Sequence, residues 1–166
     1  MKLATIALAA AALAAPAALA QGQLELGAAY SNFDTDGADL GGLTARGTYL
    51  VTPHFGVEGE ASFGIDDDTV GASKVELDSS VAGFGVAQMP VSEKVDLFAR
   101  AGYASNDYKV SVPGVGSSSN TDDGLAYGVG AKVFLTEKFG LRGDVTRYEG
   151  DDTDADVISV GGVMKF

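Results

Sequence analysis

From Leu24 to the carboxy terminus, apolar and polar residues alternate at every second position in a series of short runs, the period of a β-strand with two unlike faces. One phase reads Leu24, Leu26, Ala28, Tyr30, then Leu43, Ala45, Gly47, Tyr49, Val51, then Phe55, Val57, Gly59, Ala61, Phe63. It resumes through Val95, Leu97, Ala99, Ala101 and Tyr103, from Leu125 to Leu135, from Phe139 to Val145, and from Ile158 to Phe166, and no charge falls on it. The other phase holds Glu25, Arg46, Glu58, Glu60, Arg100, Lys132, Arg142, Asp144 and Lys165 among Gly, Ala, Ser and Thr. The fourth run fits least well: Val75, Leu77, Ser79 and Val81 share the apolar side, but Phe84 and Val86 fall on the polar one. A bulge there would re-phase it.

The runs are punctuated asymmetrically. Thr52-Pro53-His54-Phe55, Ser92-Glu93-Lys94-Val95 and Thr136-Glu137-Lys138-Phe139 repeat one another, each a tight turn feeding a strand. Between them lie longer acidic, Gly- and Ser-rich stretches at 34–42, 66–73, 106–124 and 149–156. Three short turns and four long loops connect eight strands, placed at 22–32, 43–51, 55–64, 74–88, 95–104, 125–135, 139–148 and 156–166. The repeating unit is a β-hairpin, with short turns on one side and long loops on the other, the asymmetry of outer-membrane barrels.

A soluble barrel would show the same alternation turned inside out. A water-facing surface is crowded with Lys and Glu, whereas this polar phase carries only one or two charges per strand among small residues, as a confined interior would. The uncharged phase therefore faces lipid. Aromatic positions agree: Tyr49, Phe55, Phe139 and Phe166 fall at the short-turn end and Tyr30, Phe63, Tyr103 and Tyr127 at the loop end, two girdles at interfacial depth. Beyond residue 20 no apolar run approaches the ~20 residues of a membrane helix. Strands in lipid must close so that no edge N–H or C=O goes unpaired. The fold expected is all-β, an eight-stranded antiparallel up-and-down transmembrane barrel.

Residues 1–20 stand apart. Lys2, an apolar stretch from Leu3 to Leu19 and Ala18-Leu19-Ala20 before Gln21 form the pattern of a cleavable secretory signal, leaving residues 21–166 as the barrel domain. The chain has a formal net charge of −12, one unit more negative once Lys2 is removed. Such a chain repels nucleic acid. It contains no cysteine, so disulfides and thiolate metal sites are excluded.

The residues Val91-Ser92-Glu93-Lys94-Val95-Asp96-Leu97-Phe98-Ala99-Arg100-Ala101-Gly102-Tyr103 and Val160-Gly161-Gly162-Val163-Met164-Lys165-Phe166 resemble the small eight-stranded outer-membrane proteins, the OmpA-like transmembrane domain and its OmpX-like relatives, in the porin family at large. The resemblance covers essentially the whole chain after the signal. It implies a Gram-negative outer membrane, contact with its lipid and lipopolysaccharide, and insertion by the barrel-assembly machinery, which reads the terminal strand through Phe166. A monomer is expected. No peptidoglycan-binding domain follows Phe166, so wall anchoring is not implied.

Eight strands enclose an interior only wide enough for side chains to fill, so Arg46, Glu58, Glu60, Arg100, Lys132, Arg142 and Asp144 should meet as an ion network. Glu60, Arg100 and Asp144 occupy one position of the hairpin repeat and hence a similar depth. Two readings stay open, a structural plug and a gated ion path. The loops hold most of the 23 acidic residues, including Asp66-Asp67-Asp68 and the run from Asp151 to Asp156. Neither run has the spacing of a twelve-residue calcium loop, and no metal or cofactor is assigned. Val110, Val112 and Pro113 suggest that strands run beyond the membrane before a Gly-Ser tip, and an exposed strand edge can take up a partner's strand. The single histidine, His54, lies in a short turn, so a catalytic triad lacks its base. The expected function is non-enzymatic: envelope structure with acidic loops outside the cell. Its alternatives are a small porin-like pore and a surface adhesin using 106–124.

Overall fold

Period-two patterning gives each strand one face for lipid and one for the interior, and closure of the sheet on itself satisfies every ladder at once. The computed structural model describes residues 22–35, 38–65, 67–70, 73–112, 116–150 and 154–166. The expected signal segment 1–20 lies outside the described residues, as do Asp66 and the run 151–153.

The strands are β1 (Gln23–Thr35), β2 (Ala38–Leu50), β3 (Phe55–Gly64), β4 (Asp67–Val70), β5 (Ser73–Pro90), β6 (Val95–Val112), β7 (Gly116–Phe134), β8 (Phe139–Gly150) and β9 (Asp154–Lys165). Every pairing is antiparallel, in the order β3-β2-β1-β9-β8-β7-β6-β5, and a β3–β5 pairing completes the circuit. Eight strands thus form the closed wall. First and last strands meet, with Leu26 opposite Met164 and Ala28 opposite Gly162. The ninth strand, β4, is a short flap that pairs with residues 73–76 of β5, in a stretch expected to be loop.

The strands also reach further than the alternation predicts. β6 and β7 stay paired from Val95–Val133 out to Val112–Gly116, so most of the expected 106–124 loop, including Ser117 to Asn120, is strand. Ser, Gly and Asp are poor strand formers. Here the ladder of a continuous hairpin holds them.

On the outer wall, Tyr30, Leu43, Phe55, Val57, Phe63, Leu97, Tyr103, Leu125, Val129, Val145, Ile158, Val160 and Phe166 are exposed, the expected uncharged face. On β5 the register shifts between Leu77 and Ser79. That bulge lies above Phe84 and Val86 and does not turn them outward: both are buried in the interior. Their place on the polar phase is thus real and no phase error.

The three short turns share one construction. Thr52 Oγ1 accepts from the N–H groups of His54 and Phe55, Ser92 Oγ from those of Lys94 and Val95, and Thr136 Oγ1 from those of Lys138 and Phe139. In each, the carbonyl of the first strand residue accepts two backbone N–H groups, as Phe55 does from Val51 and Thr52. The sequence repeat is a repeat of structure.

Candidate functional site: the filled lumen

Stacked layers of side chains fill the interior. The central layer is an ion network built from four strands. Arg46 stands opposite Glu60, and Thr48 opposite Glu58, on adjacent β2 and β3; Arg142 and Asp144 face inward two residues apart on β8, and Arg100 enters from β6. Arg100 donates to Glu58 at 2.7 Å, Glu60 at 2.6 Å, Asp144 at 3.0 Å and Thr146 at 2.7 and 3.2 Å. Arg46 donates to Glu60 at 2.6 Å and to Asp144 at 3.1 and 3.3 Å. Arg142 takes Glu58 at 2.5 and 3.0 Å and Asp144 at 3.0 Å. Thr48 and Tyr148 hydroxyls donate to Glu58 and Glu60 at 2.5 and 2.7 Å. Three guanidinium groups thus face three carboxylates, all buried. Charges withdrawn from water this far persist only when fully paired.

Glycines on β7 make this layer possible. Arg100 and Thr146 both stand opposite Gly128, while Phe98 and Asp144 both stand opposite Gly130. A Cβ on Gly130 would press on the Phe98 ring and the Asp144 Cβ. With no side chains there, β6 and β8 touch across β7.

A second cluster sits toward the short turns. Lys132 donates to Glu25 and, at 2.6 Å, to the Gln88 amide oxygen; the Gln88 amide nitrogen donates to Asp96 at 3.1 Å; and Lys165 lies 3.5 Å from Asp96. Lys165 also lies over the Phe134 ring, 3.5 Å from its centroid. Phe98 separates the two clusters, its ring 4.2 Å from the Arg142 guanidinium carbon and 5.4 Å from the Lys132 amine.

Toward the loops the lumen turns to hydroxyls and then to hydrocarbon. Ser31 hydrogen-bonds Thr44 and Ser159, each at 2.7 Å, and Thr44 reaches Ser62 at 2.8 Å. Beyond them Phe33, Leu40, Ala104, Ala126, Tyr148, Ala155 and Val157 form a buried apolar cluster.

Six of the seven sequence-predicted residues therefore fall in one network, and Glu60, Arg100 and Asp144, assigned one depth, are in direct contact. Lys132 joins the other cluster. Sequence reasoning had turned Glu25 and Lys165 inward without partners and had not singled out Gln88, Asp96, Phe98 or Tyr148; the parity of Asp96, Phe98 and Arg100 on one strand was the available signal. His54 lies exposed in its short turn, its Nδ1 3.2 Å from the Gln88 carbonyl oxygen. Phe166 is exposed at the barrel end, its N–H donating to the Leu24 carbonyl.

Above the loop-side girdle charge returns to the outer wall. Arg147 donates to Asp154 at 2.9 Å and to Asp156 at 3.1 Å, and the Tyr127 hydroxyl to Glu149 at 2.7 Å. Among the described residues no group of three or more His, Asp or Glu side chains is arranged to hold a metal ion.

A family model described as the outer membrane protein β-barrel domain matches residues 3–166. Among solved structures the chain is similar to Ail, the attachment invasion locus protein of Yersinia pestis, in complex with the heparin analogue sucrose octasulfate: identity is 19%, TM-score 0.64, over 87% of this chain and 97% of that one. It is similar to the N-terminal β-barrel domain of Pseudomonas aeruginosa OprF, with 14% identity and TM-score 0.64 over 88% of this chain and 100% of that one. It is likewise similar to OprG of Pseudomonas aeruginosa, at 14% identity and TM-score 0.64 over 87% and 96%. No curated protein sequence matches. At these identities the likeness is one of fold.

Proposed function

The chain belongs to the outer membrane protein β-barrel family, and from that premise we propose that it is a non-enzymatic, non-conducting barrel that contributes to the structure of a Gram-negative outer membrane. One observation carries this reading: Arg46, Arg100 and Arg142 are closed onto Glu58, Glu60 and Asp144 across the full width of the lumen, with a buried apolar cluster above them. An ion path needs hydrated groups that release their partners, whereas every charge here is held by two or more others. In this reading residues 1–20 export the chain, Phe166 presents the terminal strand to the assembly machinery, and the barrel stands in the membrane as a monomer among lipid and lipopolysaccharide. The test is a planar-bilayer recording of purified, folded protein. Little or no current is expected, and sustained single-channel steps would hand the assignment to the porin-like reading.

The described backbone supports a second reading. Residues 116–123 of β7 pair with β6, while β8 pairs with β7 only from Gly124 onward. An unpaired strand edge projecting from the membrane can take up an extended segment of another protein, which is how an adhesin would use 106–124. Shortening that hairpin at its tip would abolish binding to a target surface in the adhesin reading and leave the barrel's heat-resistant migration intact in either.

A further inference from the structure

Of the two amines in the turn-side cluster, Lys165 is partly exposed and Lys132 is not. Lys132 is wholly withdrawn from solvent, and the Gln88 side-chain amide lies against it, the Nζ–Oε1 distance being 2.6 Å. Glu25 is paired to the same amine from β1, across the lumen. Asp96, between Gln88 and Lys132 on the intervening strand, accepts from the amide nitrogen at 3.1 Å. All four side chains are buried, and the Phe98 ring stands 5.4 Å from the amine. An amine, a carboxamide and a carboxylate on each side, held together out of solvent, are the parts of an intramolecular transamidation. The arginines of the neighbouring layer cannot do this, since guanidinium keeps its proton and is no nucleophile.

We propose that Lys132 and Gln88 condense to an isopeptide bond that staples β5 to β7 across β6. Glu25 takes a proton from Nζ, and the freed lone pair attacks Gln88 Cδ, forming the Nζ–Cδ bond. The tetrahedral centre then collapses with cleavage of the Cδ–Nε2 bond. Both protons lost by Nζ end on Nε2, which departs as ammonium; Glu25 carries them from the attacking side, and Asp96, already bonded to Nε2, relays them to the leaving side. No oxidant or cofactor enters the balance. Burial favours the step because an ammonium–carboxylate pair is poorly solvated there, so passing the proton to Glu25 removes two charges at once, and because the reacting groups are already neighbours. In a chain without cysteine the bond would serve as a cross-link does in restricting the unfolded state.

The experiment is mass spectrometry on folded protein extracted from membranes. A mass lower by one ammonia is expected, together with a branched peptide joining the segments that contain Gln88 and Lys132. Fragmentation must locate the loss, because an amino-terminal Gln21 would also shed ammonia on cyclising. Lys132→Arg keeps the positive charge and should give no branched peptide. Glu25→Gln, in protein that retains heat-resistant migration, should leave the two side chains unjoined. Folded wild-type protein in which Gln88 and Lys132 are recovered only in separate linear peptides overturns the proposal, and full cross-linking in Glu25→Gln overturns the role given to Glu25.

Discussion

Beside Gly128 of β7, where a Cβ would press on the Thr146 hydroxyl, Arg100 reaches Glu58, Glu60, Asp144 and Thr146 with one guanidinium. Removing it leaves three buried carboxylates short of a partner. Arg100→Ala should therefore lower stability by about 3–5 kcal/mol, read as a shift of the urea midpoint for folding in lipid vesicles. It should do so without opening the barrel; bilayer current from a mutant that keeps its heat-resistant migration would count against the plug. Gly130→Ala probes the same layer sterically. Its Cβ would crowd Phe98 and Asp144, for an expected loss of about 1–3 kcal/mol. The inward charges were legible from parity alone, and the shared depth of Glu60, Arg100 and Asp144 from the hairpin repeat. The lumen aromatics were not: Phe84 looked like a phase error, when in fact its ring packs 4.3 Å beneath the Arg100 guanidinium. Parity says which way a side chain points, not what it meets.

At the level of elements, the short turns are the most legible in the sequence. Thr52, Ser92 and Thr136 recur because a hydroxyl at that place satisfies two turn N–H groups that a tight reversal leaves unpaired. Ser92→Ala and Thr136→Ala should each cost about 1 kcal/mol, additively since the turns are far apart, and the double mutant's urea midpoint measures this. Strand ends on the opposite side run longer than the alternation implies. The Gly-Ser composition of 106–124 argues for loop locally, yet β6 and β7 zip along one another to Val112 and Gly116, since each added pair extends an existing ladder. Composition reports local preference, and a hairpin already nucleated in the membrane overrides it. The bulge on β5 was foreseen in kind but misplaced: it sits between Leu77 and Ser79 and leaves Phe84 inside.

Over the whole molecule, charge is sorted by position. Both lumen clusters balance, Arg46, Arg100 and Arg142 against Glu58, Glu60 and Asp144, and Lys132 and Lys165 against Glu25 and Asp96, so neither contributes to the net charge of −12. The lipid face tolerates none. Val145→Arg, on the outer wall between the girdles, should cost about 2–4 kcal/mol, whereas Arg147→Ala, two residues on and already among Asp154 and Asp156, should change stability by no more than about 1 kcal/mol; parallel vesicle-folding titrations separate the two. The fold class, the strand count of the wall, the two faces and the meeting of first and last strands follow from the sequence, because side-chain alternation and lipid exposure together leave one way to satisfy every backbone group. The partners inside were decided by the tertiary structure. Glu25 meets Lys132, and Arg46 meets Asp144, across a lumen from strands that are not neighbours in the wall, and only the stagger of the closed sheet sets which of them lie at one height.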